Sequence, residues 1–429
     1  MASRGKTSIE GGVSRAAKVQ QIVSPGGVGA WLVEDYAVPL VAMEFTFKGG
    51  SAQDSAEKAG AGAMLAGMLD EGAGKLGSEA FHQALEEKAI ELHFGADRDM
   101  FTGRLRSLTK HVDRAFELLA LALNETRLDA EPLERVRGQM AAGIRSEAND
   151  PDAMAGKAWR AHAFPNHPYG QPQQGTLHSV ALVTREDLVA LRGRALARDT
   201  LKIAIVGAID ATRAAALLDR AFLALPARAH LTPVPDIAVH GLGGRHVVDL
   251  DVPQATIRFG APGIARKDDD HIAAVVINHI LGGGVFSARL FKEVREKRGL
   301  AYSVHSSLGN YDHASVFSGG TTTKNERAAE SLAVIEEQIA DLAANGPTSE
   351  ELDKARKYLI GSYDLRFDSS SKIASQLVGL QNEDFGVDYL DKRNPMIAAV
   401  GMAEATRVAK RLLGGGKLLV TVAGRPEKL

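Results

Sequence analysis

The pairing with most chemical potential in this sequence lies in the segment LGGGVFSARLFKEVREKRGLAYSV, Leu281 to Val304. The spacing predicts a helix from about Ser287 to Arg298. Lys297 and Arg298 suit its C-terminus, and Gly299 suits the left-handed position that follows. A strand is then expected from Leu300. Phe291 and Arg295 stand at i,i+4 and share one helix face. Tyr302 falls at the start of the strand, so Arg295 and Tyr302 can converge where helix and strand meet. A guanidinium beside a phenol is a donor pair suited to gripping peptide carbonyls or stabilising an oxyanion. On these residues alone, an ordinary surface salt bridge beside a half-buried tyrosine is the favoured reading.

Other chemistries find less support. The thirteen histidines include no His-Glu-x-x-His and no inverted His-x-x-Glu-His. His82 with His93, and His162 with His167, miss the helical i,i+3 and i,i+4 spacings of paired ligands. His279 sits on the apolar face of a predicted helix and reads as a core or interface residue. Asp268-Asp269-Asp270-His271 resembles a ligand cluster. It also opens a helix, where carboxylates cap free N–H groups and favour the dipole. Gly282-Gly283-Gly284 lacks the Lys-Ser/Thr of a phosphate loop and reads as a turn between helices. No Gly-x-Ser-x-Gly elbow is present. The chain has no cysteine, which excludes thiol nucleophiles, disulfides and thiolate metal sites.

The elements that would position these residues occur twice, at an offset of roughly 215 residues. Val41, Met43, Phe45 and Phe47 alternate with Ala42, Glu44, Thr46 and Lys48, the pattern of a strand with one buried face. Ala255 to Gly260 is its counterpart. Each strand precedes a predicted helix, Ser55 to Leu69 in the first half and Asp268 to Leu281 in the second. Val112, Ala115, Phe116, Leu119, Ala120 and Leu123 form one apolar stripe, and Leu332, Ile335, Ile339 and Leu342 form the matching one. Further helices start near Glu131 and near Thr348, the latter with a capping box to Glu351. Each half closes with a strand ending in glycine, Leu201 to Gly207 and Leu418 to Gly424. The expected fold is α+β, two homologous two-layer domains, each a mostly antiparallel sheet packed with helices. The Pro- and Gly-bearing stretch 225–244 reads as a linker, dividing the chain into domains 1–235 and 236–429.

Composition narrows the class. The 429 residues carry 51 Lys and Arg against 53 Asp and Glu, a formal charge of −2, which speaks against a general nucleic-acid partner. Aromatics are 5% of the chain, so Ala, Leu, Val and Ile must build the cores. No apolar run approaches the ~20 residues of a membrane span. The stretch Met1 to Lys18 has basic residues but no apolar h-region, so it is not a signal peptide as written, although a leader could have been removed.

Three groups of residues carry a resemblance: Leu281-Gly282-Gly283, Ser287-Ala288-Arg289-Leu290-Phe291 and Arg295 through Gly299-Leu300-Ala301-Tyr302. His167-Pro168-Tyr169-Gly170 and Asn149-Asp150-Pro151 add to it. The chain resembles the pitrilysin/insulinase family of zinc peptidases, the inverzincins, over nearly its whole length from about residue 18. Peptide-cutting members carry His-x-x-Glu-His on the first helix of their first half and a third ligand, a Glu, further on. Laid on that pattern, the ligand positions hold Ala63, Gly67 and Gly143, and the general-base position holds Ala66. None of these side chains can bind zinc or take a proton from water. The resemblance implies the subunit type that lacks the zinc motif and keeps the Arg/Tyr pair. Such a chain would hold no cofactor itself, and zinc would reside in a homologous His-x-x-Glu-His subunit. Arg295 and Tyr302 would act in catalysis, with Phe291 joining them in binding peptide substrate. The chain would be no peptidase alone and part of a zinc metalloendopeptidase when paired. It could form a homodimer without that partner. The alternative is a structural or peptide-binding protein that has lost proteolysis, like family core subunits of larger complexes. A periplasmic location is expected by family habit, with the cytoplasm as the alternative.

Overall fold

The computed structural model describes residues 14–429, so the N-terminal stretch read above for a targeting signal lies largely outside the described residues. The first half builds a six-stranded sheet in the order Gln20–Val23, Gly29–Glu34, Lys202–Gly207, Leu40–Lys48, Met100–Leu108, Glu91–Ala96. The second half builds five strands in the order Ala301–Asn310, Ser315–Lys324, Gln254–Pro262, Leu419–Gly424, Arg245–Asp249. In each sheet one pair is parallel, Gly29–Glu34 with Lys202–Gly207 and Arg245–Asp249 with Leu419–Gly424, and the other pairings are antiparallel. The duplication therefore extends from sequence to topology. It reaches single contacts: Gly103 pairs with Phe45 and Gly319 with Phe259. An added Cβ would lie 2.0 Å from the Phe45 ring and 2.3 Å from the Phe259 ring, so each phenylalanine lies flat across a residue without a side chain.

Helices cover one face of each sheet. Val112–Asn124 and Ala211–Phe222 lie with the first, and Ala328–Asn345 and Met402–Leu413 with the second. Leu332, Ile335 and Leu342 are fully buried there, as their stripe requires. The capping box of helix Ser349–Gly361 forms, with the Thr348 hydroxyl accepting from the Glu351 N–H and the Glu351 carboxylate accepting from the Thr348 N–H.

The opposite faces differ from expectation. Strand Leu40–Lys48 is buried on both sides, Ala42 and Thr46 included. The reason is an exchange between halves. Helix Ser370–Asn382 of the second half lies across the first sheet and packs Ala374, Leu377 and Val378 with Val33, Ala204 and Val206. Its Gln381 side chain donates to the Ile203 carbonyl at 2.9 Å. In return, helix Pro151–Ala163 of the first half lies on the second sheet, and Trp159 Nε1 donates to the Leu419 carbonyl at 3.1 Å. Thr421 donates to the carbonyl of Ala155 at 2.8 Å. Each half thus completes the other's core. The stretch 225–244 contains no helix or strand, but it is tied down, for example by Thr232 N–H to Gln53 Oε1 at 2.7 Å and Ile237 N–H to the His313 carbonyl at 2.9 Å.

Two helices are shorter than the sequence suggests. The first spans Ala61–Met68, not Ser55 to Leu69, because Gly60 ahead of it takes φ +97° and breaks the run. The second spans His271–Asn278 and then widens into a π-helical turn, His279–Gly283. The acidic run before it does not cap it as expected. Asp270 makes no side-chain bond to the helix N-terminus and instead pairs with Arg407 and Arg411, with contacts of 2.5 Å. Two guanidinium groups outcompete the backbone for one carboxylate. No helix among the described residues is long and apolar enough to cross a membrane.

Candidate functional site

Arg295 and Tyr302 meet. The guanidinium carbon of Arg295 lies 4.2 Å from the centre of the Tyr302 ring and 4.8 Å from that of Phe291. The cation is thus flanked by two rings, where their quadrupoles attract it. Among the described residues no carboxylate lies within ion-pair distance of Arg295, so the surface ion pair considered above does not form. Tyr302 is 81% exposed and not half-buried. Phe291 is buried, and the exposed ring of Phe286 meets it edge-on at 5.1 Å.

The local backbone explains the meeting. The expected regular helix from Ser287 to Arg298 is instead a 3-10 turn, Val285–Ser287, followed by a π-helical turn, Phe291–Glu296. The wider π turn still stacks residues four apart, so Phe291 remains under Arg295. Lys297 and Arg298 close the turn by converging on Glu293, each at 2.6 Å. Gly299 takes φ +58°, and its N–H bonds the Arg295 carbonyl at 3.0 Å. The chain then enters strand Ala301–Asn310, the outermost strand of its sheet. Ala301 pairs with Thr323 and Val304 with Thr321, so two residues oppose one. This bulge takes Tyr302 out of the ladder and turns its ring outward. Two threonines pin it: Thr321 Oγ1 donates to the Ser303 carbonyl at 2.8 Å, and Thr323 Oγ1 to the Leu300 carbonyl at 2.6 Å.

Arg289 also belongs to the site's support, and the spacing of chemical groups gave it no role. It forms a fork to Glu351 at 2.7 and 2.8 Å and reaches Asp341 at 2.6 Å. These bonds hold its pKa above the ordinary value, the Glu351 hydrogen bond foremost. The only sequence signal was its place inside the family-like Ser-x-Arg-Leu-Phe. His279 is buried and stacks on Tyr358 at 4.9 Å.

In the first half, Ala63, Ala66 and Gly67 lie on helix Ala61–Met68, and Gly143 lies on helix Ala130–Glu147. The two helices face each other: a Cβ at Gly67 would touch Val136 Cγ1 at 3.4 Å. None of the four side chains has an N, O or S donor, so this pocket does not fit zinc. Among the described residues no three His, Cys, Asp or Glu side chains converge as a metal site. Asp54 caps the first of these helices, accepting from the Gly60 and Gly62 N–H groups at 2.9 Å each. Burial pushes its carboxyl up to about 7, against the pull of those donors.

The family model for the insulinase peptidases (peptidase family M16) matches residues 32–177, and that for the peptidase M16 inactive domain matches residues 182–359. The chain belongs to the M16 family. Relatives include the non-peptidase homolog YmxG of Helicobacter pylori, 27% identical over 361 residues and covering 84% of this chain and 83% of that protein. An uncharacterized zinc protease of Mycobacterium leprae is 27% identical over 381 residues, covering 87% and 85%. Among solved structures, a peptidase M16 inactive domain from Pseudomonas fluorescens superposes with a TM-score of 0.89 at 27% identity, covering 95% of this chain and 98% of that one. A protease from Helicobacter pylori shares the fold with a TM-score of 0.86 at 19% identity, covering 95% and 99%. The two related α+β halves are the M16 architecture.

Proposed function

We propose that this chain is the non-catalytic subunit of a two-subunit M16 zinc metallopeptidase. The observation that carries the reading is the Arg295 cation, held between Phe291 and the exposed Tyr302 with no carboxylate among the described residues within ion-pair distance. An unneutralised donor pair on an outermost strand suits a peptide backbone laid alongside that strand, since the strand edge offers N–H and C=O groups and the pair offers donors to a carbonyl. The metal and the attacking water belong to a homologous partner with His-x-x-Glu-His, because Ala63, Ala66, Gly67 and Gly143 supply neither ligand nor base. Arg295 and Tyr302 hold the substrate carbonyl and the negative charge that develops on it. The pair works in the periplasm in this reading.

The test is reconstitution with the zinc-motif homologue. Arg295→Ala and Tyr302→Phe should each lower kcat by about 10²–10³, the usual loss for one oxyanion donor, and the chain alone should take up no zinc and cut no peptide. Unchanged activity in both variants would overturn the proposal. A second reading, a structural or peptide-binding protein without proteolysis, draws support from the relative named a non-peptidase homolog. It expects both residues to be expendable for assembly and no zinc-motif partner to co-purify.

A further inference from the structure

A second cationic site lies away from the Arg/Tyr pair. Helices His271–Asn278, Ser370–Asn382 and Tyr389–Ala399 and the turn Ser362–Phe367 enclose a cavity of about 340 Å3. Its wall contains Arg266, Arg366 and Arg393, and one carboxylate, Glu383. Glu383 is taken by Arg266, whose Nε reaches it at 2.9 Å while its guanidinium stacks on Phe385 and Tyr389.

Arg393 is the unusual member. It is 8% exposed. Its Nη1 donates to the Leu359 carbonyl at 3.1 Å and to Asn394 Oδ1 at 2.9 Å, and the Tyr363 ring lies 4.2 Å from its guanidinium carbon. All three partners are neutral. Among the described residues no carboxylate reaches Arg393 or Arg366 within ion-pair distance. The nearby acids are occupied: Asp364 pairs with Arg15, and Asp391 accepts from Ser14 and the Arg15 N–H. A buried charge without a counter-charge costs several kcal/mol, and chains retain such charges where a ligand supplies the counter-charge. Burial, then Arg366, pushes the Arg393 pKa down. His271, buried in the same wall, turns its Nδ1 to the Ile264 carbonyl at 3.4 Å, and burial and Arg266 push its pKa down, so it brings no counter-charge to the cavity. Gln376 and Ser375 add neutral polar groups.

We propose that this cavity binds a small oxyanion of the phosphate kind, gripped by Arg393 and Arg366. The anion completes the charge balance of the wall, and because helix Ser370–Asn382 also covers the first sheet, binding stiffens the contact between halves.

The test uses the full chain and inorganic phosphate. Calorimetric titration and thermal melts are run at constant ionic strength, with chloride as control and succinate as a carboxylate arm. Saturable binding with a rise in Tm is expected for phosphate, since a ligand that binds only the folded state stabilises it. Arg366→Gln, on the exposed rim, should weaken it at least ten-fold. Gly379→Leu on helix Ser370–Asn382 should block it without harming the fold, because a Cβ there meets nothing within 4 Å. Tighter binding of succinate than of phosphate would overturn the assignment to a phosphate-type anion. Equal, non-saturating shifts in all salts, or phosphate binding untouched by both variants, would overturn the proposal.

Discussion

The guanidinium of Arg295 stacks on the ring of Tyr302 at 4.2 Å, across the turn that joins a π-helical segment to a sheet edge. Stacking uses the ring face and leaves the phenol hydroxyl free. Two substitutions therefore separate the two roles of Tyr302. Tyr302→Phe keeps the stacking surface and removes the hydroxyl. With a zinc-motif partner it should lower kcat by about 10²–10³ while leaving KM close to wild type. Tyr302→Ala also releases Arg295 and should raise KM as well. Steady-state kinetics on the pair decide it: equal effects of Phe and Ala would mean that stacking contributes nothing.

Gly299 sets the angle between the two residues. At φ +58° a side chain is strained by about 1 kcal/mol. Gly299→Ala should lower unfolding free energy by about that amount in denaturant titrations. It should also cut activity of the pair by more than such a small loss of stability explains, because the strain is relieved by moving Tyr302. A variant with normal kinetics would separate the turn from the site.

Much of this region was legible in the sequence. Gly299 after two cations announced a helix end, and the i,i+4 spacing placed Phe291 beneath Arg295. The π winding was not legible, since it adds one residue to a turn without altering the apolar pattern. The bulge at Tyr302 was hidden for a related reason: it depends on Thr321 and Thr323 across the ladder. The second buried face of Leu40–Lys48 was equally out of reach. Its cover, helix Ser370–Asn382, lies more than three hundred residues away, and Glu44 and Lys48 made the strand look half-solvated. The acidic run at Asp268 misled because its partners Arg407 and Arg411 come from the last helix.

Arg289 should prove structural. Its side chain is only 12% exposed and is shared between Glu351 and Asp341. Removing one partner of a largely buried pair strands the other charge and costs about 3 kcal/mol. Arg289→Ala should show that loss in urea unfolding, and Arg289→Ala with Glu351→Ala should recover part of it. Full additivity of the two would show that the fork carries no coupling.

Asp54 gives the fold a pH dependence. Its folded pKa, about 7, lies above the ordinary 3.8, so the folded state holds this proton more tightly than the unfolded chain. The stabilisation is complete below about pH 4 and is lost as pH rises to about 7. The slope for one group does not exceed about 1.4 kcal/mol per pH unit. Unfolding free energies measured from pH 4 to 8 should fall less steeply for Asp54→Asn than for wild type. Parallel curves would mean that Asp54 does not titrate in that window.

The exchanged helices should make the two halves unfold together. Leu377 is 1% exposed and packs, with its neighbours, on Ala204 and Val206 of the other half's sheet. Leu377→Ala leaves a cavity in that contact and should cost about 2–5 kcal/mol. Helix Ser370–Asn382 belongs in sequence to the second half but covers the first, so the loss should appear in both. Probes at each sheet, such as Trp31 in a strand of the first and Trp159 packed on the second, should report one shared, shifted transition. Two separated transitions in the wild-type chain would show that each half holds its fold without the helix it receives.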